Sequence, residues 1–201
     1  MGDVLNGALH KAVREKEDTR PQRLNSLYRQ EVLTAEVDIG DYLAACVDVP
    51  KFLAYCRECN NYNRRWACPP FDFDPAAVWR RYRSLYVEGR VFYPRPGVST
   101  EQFMKAFYQA KDQTLADVLQ LEAEREGSYA LPAGSCYICP GDCAKAEGKP
   151  CRFPDKLRYS IEALGGDVAK TAEVYLHKPM LWIKNDEMPE YLMLVLGLLL
   201  P

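Results

Sequence analysis

Four cysteines lie close together in residues 133–154, which read AGSCYICPGDCAKAEGKPCRFP. They are Cys136, Cys139, Cys143 and Cys151, separated by two, three and seven residues. The glycines and prolines between them do not extend a helix or a strand, so we expect an irregular loop with little apolar surface to bury. A metal ion or cluster bound by the four thiolates would replace the missing hydrophobic core.

A second group of cysteines occurs earlier in the chain, in the stretch CRECNNYNRRWACPP. Cys56 and Cys59 are separated by two residues, a spacing that can turn both sulfurs towards one metal, and eight more residues separate Cys59 from Cys68. Two further residues could supply a fourth ligand. Cys46 lies in the apolar segment DYLAACV, which is more typical of a core residue. His177 is expected at a helix end, where a capping or surface role is favoured.

The spacing of the cysteines favours iron–sulfur chemistry over zinc. Zinc sites usually combine two short C-x-x-C pairs, whereas the later group places three cysteines within eight residues, as ferredoxin-type sequences do. We therefore expect one or two [4Fe–4S] clusters, with zinc as the alternative. If the earlier group has only three ligands, its metal keeps an open position, which is typical of a catalytic site. Both loops could also converge on a single site.

Several residues beside the cysteines have an ordinary interpretation as well as a functional one. The arginines could offset the negative charge of a thiolate cluster or could be ordinary loop residues. Tyr62 and Trp66 are expected to shield and pack around a cluster. Glu162 is expected to cap a helix or form a salt bridge. These residues are Arg57, Arg64, Arg65, Arg152, Tyr62, Trp66 and Glu162.

The overall composition is that of an ordinary globular protein of 201 residues, with 48% hydrophobic and 27% charged residues. A net charge of −2 gives no electrostatic reason to expect nucleic acid or an anionic membrane as a partner. The first twenty residues have scattered charges and no apolar core, so we expect no signal peptide and a cytoplasmic location. Clustered cysteines in a reducing compartment bind metal more often than they form disulfides.

The order of predicted elements indicates an α/β or α+β fold. Alternating apolar residues predict a strand from Tyr28, a strand or a hairpin near Gly89, and strands in LWIK and in the final YLMLVLGLLL, the last one central. Predicted helices begin after Asp41, Asp48, Asp74, Ser99 and Asp167. We expect a charged extension over residues 1–30, containing a peripheral helix, and one cysteine-rich domain over residues 31–201. In that domain, helices flank a mixed central sheet that carries two cysteine-rich metal-binding loops.

The two cysteine motifs resemble those of a prokaryotic family of predicted metal-binding proteins, domain of unknown function 2284. The similarity lies in CRECNNYNRRWACPP and in AGSCYICPGDCAKAEGKPCRFP followed by YSIEALGGDV. It implies metal or iron–sulfur binding by seven cysteines and does not include Cys46. It implies no particular reaction. The seven residues are Cys56, Cys59, Cys68, Cys136, Cys139, Cys143 and Cys151.

The leading hypothesis from the sequence is a cytoplasmic iron–sulfur protein that transfers electrons or performs redox chemistry, with a redox partner protein. In this hypothesis the later four cysteines hold a closed [4Fe–4S] cluster and the earlier three hold a second, open centre. The alternative is a structural zinc protein that serves as an interaction or regulatory module without catalysis.

Overall fold

The computed structural model describes residues 25–185 and 187–201. The helix expected in the N-terminal extension falls outside these residues. The chain contains three 3₁₀ turns, Ala144–Glu147, Pro154–Lys156 and Glu162–Leu164, among its described residues. In chain order the strands and α-helices are β1 (Tyr28–Asp38), α1 (Ile39–Cys46), α2 (Val49–Arg57), α3 (Pro75–Trp79), β2 (Ser84–Pro94), α4 (Thr100–Ala123), β3 (Tyr129–Leu131), α5 (Val168–Tyr175) and β4 (Leu192–Leu200).

The four described strands form one sheet in the order β1–β2–β4–β3. Every pairing in it is antiparallel, so the α+β class is confirmed and the sheet is not mixed in strand direction. The prediction that the apolar C-terminal strand is central is also confirmed, because β4 lies between β2 and β3. Both of its faces are buried, which explains why its sequence is continuously apolar rather than alternating.

Each face of the sheet is covered by a different part of the chain. On one face α4 packs through Phe103 and Phe107 against Phe92 and Leu194. On the opposite face lies the largest apolar cluster, which joins strand residues to side chains from α1, α3, α5 and the turn Glu162–Leu164. The sheet is therefore the middle layer between these two coverings.

The apolar contact between α4 and the sheet is interrupted by a buried ion network. The Arg90 guanidinium donates to Glu88 Oε1 at 2.6 Å and to Asp117 Oδ2 at 2.5 Å. Glu88 and Arg90 are two residues apart on β2 and so lie on the same face, whereas Asp117 belongs to α4. Buried charges of this kind are tolerated when paired, and here the pairing links the helix to the strand beneath it.

The helix caps follow the sequence closely, with one exception. Asp48, Asp74 and Asp167 each accept a backbone N–H at a helix start, as predicted. Ser99 forms the predicted capping box with Gln102. The prediction of Asp41 as a cap was wrong, because the Asp38 side chain accepts from the backbone N–H groups of Gly40 and Asp41, so α1 begins earlier.

Two ambiguous segments are resolved by their packing. Gly89 lies inside the continuous strand β2 and makes no hairpin. A Cβ there would lie 2.2 Å from Met193 Cε, so glycine lets the Met193 side chain pack closely against β2.

The prediction of a strand in LWIK was wrong. Trp182 and Ile183 are exposed, and residues 181–184 make only an isolated bridge between Lys184 and Glu187. Among the described residues, no helix is both long and apolar enough to cross a membrane.

Candidate metal centre

The earlier cysteine loop begins at the end of α2. The cap at Asp48 and the following proline start this helix, and its last turn contains Cys56. The next residues continue in tight turns, with Cys59 N–H donating to Cys56 O at 3.0 Å. Asn63, in the left-handed conformation, donates its N–H to Pro69 O at 2.7 Å and closes the loop. Cys56, Cys59 and Cys68 are therefore carried by one compact loop.

The later cysteine loop follows β3 and bends at glycines. Gly134, Gly141 and Gly148 all have positive φ angles, between 69° and 76°. A Cβ at Gly134 would approach only the flexible end of Lys111, 2.9 Å from Nζ, so the positive φ is the main reason for glycine there. Arg152 donates to Asp142 O at 2.8 Å and ties the end of the loop to its middle. The sequence-based expectation of an irregular loop is confirmed apart from the turn Ala144–Glu147.

The two loops lie against each other, although their sequences are far apart. Arg65 Nη1 donates to Cys136 O at 3.0 Å, and Lys145 Nζ donates to Cys68 O at 3.3 Å. Trp66 Nε1 donates to Lys149 O at 3.0 Å. Each of these bonds joins one loop to the other. The structure thus brings all seven predicted cysteines to one region of the molecule, whereas the sequence left open whether the two loops lie together.

All eight cysteines are free thiols. Burial raises the pKa of Cys56 to about 11, and the negative charges of Cys68 and Cys59 raise that pKa further. Burial likewise raises the pKa of Cys136, with a further increase from its own loop: Cys139, Cys151 and Cys143. Each of these two thiols is thus influenced by the other cysteines of its own loop. Metal binding at either site must displace thiol protons.

The donor types fit the metals that the sequence suggested, since thiolates are the ligands of zinc and of iron–sulfur clusters. Among the described residues, no three histidine, cysteine, aspartate or glutamate side chains are placed to hold a single metal ion. The thiols therefore lie together within each loop, but no three of the described thiols surround a single point where one ion could bind.

The two candidates for a fourth ligand lie in different surroundings from the loop thiols. Cys46 is 2% exposed and belongs to the main apolar cluster, and burial raises its pKa. These surroundings support the interpretation of Cys46 as a core residue. His177 is exposed just after α5 and has a φ of 51°. This placement agrees with the surface role that the sequence favoured.

Glu162 is more deeply placed than a simple cap or salt bridge would require. Its Oε2 atom is shielded from solvent and has no hydrogen-bond partner among the described residues. Burial raises the pKa of Glu162, partly offset by a hydrogen bond from Ser160 and by the charge of Lys111. The turn that carries Glu162 packs against α2, the helix that ends in Cys56.

The residues beside the cysteines have distinct roles. Arg65 and Arg152 hold loop backbone through the bonds given above, whereas Arg57 and Arg64 are exposed. Sequence reasoning missed Lys145, Asn61 and Ser135, which connect the loops. No local signal could have identified them, because each acts on a segment about 70 residues away in the chain.

Comparison with known proteins shows the family of this chain. Residues 44–197 match the family described as predicted metal-binding protein, domain of unknown function 2284. The chain belongs to this family, as the two cysteine motifs indicated. No curated protein and no solved structure matches the chain.

Proposed function

We propose that this protein is an iron–sulfur protein with an electron-transfer or redox role. In this proposal the later loop supplies four thiolates to a [4Fe–4S] cluster and is a closed site. The earlier loop supplies three thiolates to a second centre with an open position, where substrate chemistry would take place. The ligands are Cys136, Cys139, Cys143 and Cys151 in the closed site, and Cys56, Cys59 and Cys68 in the open one.

The observation that carries this proposal is the direct contact between the two loops. Ser135, which precedes Cys136 in the later loop, places its Oγ 3.4 Å from the sulfur of Cys68 in the earlier loop. Iron–sulfur clusters accept and release single electrons. A closed site in contact with an open one is the arrangement expected of a protein that relays electrons to a reaction centre.

The surroundings of the thiols support the same role. Lys145 extends from the later loop to the backbone of the earlier one, donating to Cys68 O and Pro70 O at 3.3 Å each. Burial lowers the pKa of Lys145, and the nearby thiols of Cys68 and Cys143 partly offset this effect. A cation between two groups of thiolates would offset their negative charge in either oxidation state.

The alternative is a structural zinc module that binds a partner without catalysis. Four thiolates per ion also satisfy zinc, so the donor types alone do not separate the two functions. The electron partner in the first case is proposed to be a redox protein, and the location is proposed to be the cytoplasm.

Anaerobic purification followed by an absorption spectrum separates the two functions. The proposal predicts a brown protein with a broad visible band that dithionite bleaches, together with iron and sulfide in about equal amounts. A colourless protein that retains zinc stoichiometrically under the same conditions would overturn the redox function in favour of the zinc module.

A further inference from the structure

A chain of hydrogen bonds starts on the earlier cysteine loop, passes through one residue of the later loop and returns to a cysteine sulfur of the earlier loop. Arg65 Nε donates to Asn61 Oδ1 at 2.8 Å. Asn61 Nδ2 donates to Ser135 Oγ at 3.0 Å. Ser135 Oγ in turn lies 3.4 Å from Cys68 Sγ. Arg65 and Asn61 belong to the earlier loop, as does Cys68, so only Ser135 comes from the later loop.

The direction of this chain follows from the chemistry of its first member. A guanidinium only donates hydrogen bonds, so the Asn61 atom facing Arg65 must be the carbonyl oxygen. The amide nitrogen of Asn61 must then face Ser135 and donate to its oxygen. The single hydroxyl proton of Ser135 remains free to be donated to Cys68. A metal-bound thiolate has no proton to donate, so in the loaded site the Ser135 hydroxyl would be the donor and the Cys68 sulfur the acceptor.

The surroundings of Cys68 make such a bond effective. Cys68 is only 8% exposed, so water competes weakly for its sulfur. Arg65 also donates to Cys136 O, which holds the backbone next to Ser135 in position. Arg65 therefore holds both the backbone beside Ser135 and the Asn61 amide that donates to the Ser135 hydroxyl.

We propose that Ser135 is a positioning residue that raises the reduction potential of the centre held by Cys56, Cys59 and Cys68. This inference depends on the proposed function, in which that centre is an iron–sulfur cluster. Reduction adds negative charge to a cluster and its ligand sulfurs, and a hydrogen bond donated to a sulfur stabilises that charge. The later loop would thereby tune the potential of the earlier centre.

The test is a redox titration monitored by electron paramagnetic resonance, performed anaerobically on the full-length protein. The variants are Ser135→Ala, which removes the hydroxyl, and Ser135→Thr, which keeps it. The matched control is Ser128→Ala, whose hydroxyl donates to Arg125 O in the turn between α4 and β3. Iron content is measured for each variant, and only variants that retain the wild-type iron content are compared.

The expected result is a more negative midpoint potential in Ser135→Ala for the centre held by Cys56, Cys59 and Cys68. The potential of the centre in the later loop should be unchanged. Ser135→Thr and Ser128→Ala should keep wild-type potentials. Unchanged potentials in Ser135→Ala, or an equal shift of both centres, would overturn the inference while leaving the proposed function standing. A wild-type protein without reducible iron would overturn the proposed function itself, and this inference with it.

Discussion

Cys46 and Cys59 carry the same thiol in opposite surroundings. Cys46 is enclosed by apolar side chains of the main core, and Cys59 is exposed on the earlier loop. A thiol that binds a metal needs room for the metal beside it, whereas a core thiol behaves as a small apolar group. The two residues therefore form a matched pair for testing the proposed ligand set.

We expect Cys59→Ala to lose about half of the iron of the wild-type protein, because one of two clusters loses a ligand. Cys46→Ala should keep the full iron content and lower the free energy of unfolding by about 1–3 kcal/mol, as expected for a small cavity in a core. Iron and sulfide analysis after anaerobic purification checks the first expectation, and denaturant unfolding the second. Loss of iron in Cys46→Ala would show that it is a ligand.

At the residue scale, spacing predicted the candidate ligands and left their supporting contacts hidden. The intervals between cysteines are visible in the sequence because ligands on one loop must be close along the chain. The hydrogen bond from Asn61 to Ser135 joins residues 74 positions apart, and no local pattern encodes it. The depth of Glu162 was missed for the same reason, since burial depends on elements that meet only in the folded chain.

At the element scale, the segments that were predicted correctly carry their own signals. The capping box at Ser99 and the alternation in β1 are local features, and both were found where predicted. LWIK has an apolar sequence but pairs with none of the four described strands; Leu181 packs partly against the main core, whereas Trp182 and Ile183 are exposed. Gly89 was ambiguous because a glycine needed for close packing and a glycine in a turn look alike in sequence.

Gly165 is the element-scale position where substitution should matter most for the earlier loop. Its φ is +85°, and a Cβ would lie 2.7 Å from Val49 Cα, at the start of α2. We expect Gly165→Ala to cost roughly 2–4 kcal/mol, from about 1–2 kcal/mol of backbone strain plus overpacking against backbone that cannot move away. Urea unfolding monitored by circular dichroism measures this cost.

Gly97 provides the matched control for that substitution. Its φ is +81°, but a Cβ there would meet nothing within 4 Å. Gly97→Ala should therefore show only the strain component, about 1–2 kcal/mol. Equal losses of stability in the two variants would contradict the argument that Gly165 is needed for the contact with α2.

At the scale of the whole molecule, alternating helices and strands were enough to predict an α/β or α+β protein with a central sheet, and the antiparallel pairing decides for α+β. The strand order β1–β2–β4–β3 was not predictable, because it depends on which strands meet across long connections. The longest of these connections, between β3 and β4, contains the later cysteine loop and α5. In the same connection, Lys178 bonds to Glu31 near the start of β1.

The polar contact between Lys178 and β1 has a strength that depends on pH. Glu31 accepts hydrogen bonds from Tyr93 at 2.6 Å and from Lys178 at 3.3 Å. Burial alone would raise the pKa of Glu31, but these hydrogen bonds and the Lys178 charge lower it overall. A carboxyl with a lowered pKa stabilises the folded state above its unfolded pKa, near 4.3, and this contribution is lost as the pH falls through the folded pKa.

We therefore expect Glu31→Gln to lower the free energy of unfolding by about 1 kcal/mol at pH 7, with a difference that shrinks as the pH falls below about 4. Glu173→Gln, at an exposed position on α5, is the control and should change little. Thermal unfolding of the three proteins between pH 3 and 7 measures the difference, which cancels any loss of metal common to all. A pH-independent difference would contradict the role given to Glu31.

The central claim, that the two loops hold two iron–sulfur clusters, is tested most directly by native mass spectrometry of the anaerobically purified protein. The mass above that of the 201-residue chain counts the bound atoms without disrupting the sites. We predict an excess equal to two [4Fe–4S] clusters, reduced to one in Cys59→Ala. An excess equal to one or two zinc ions would contradict the claim.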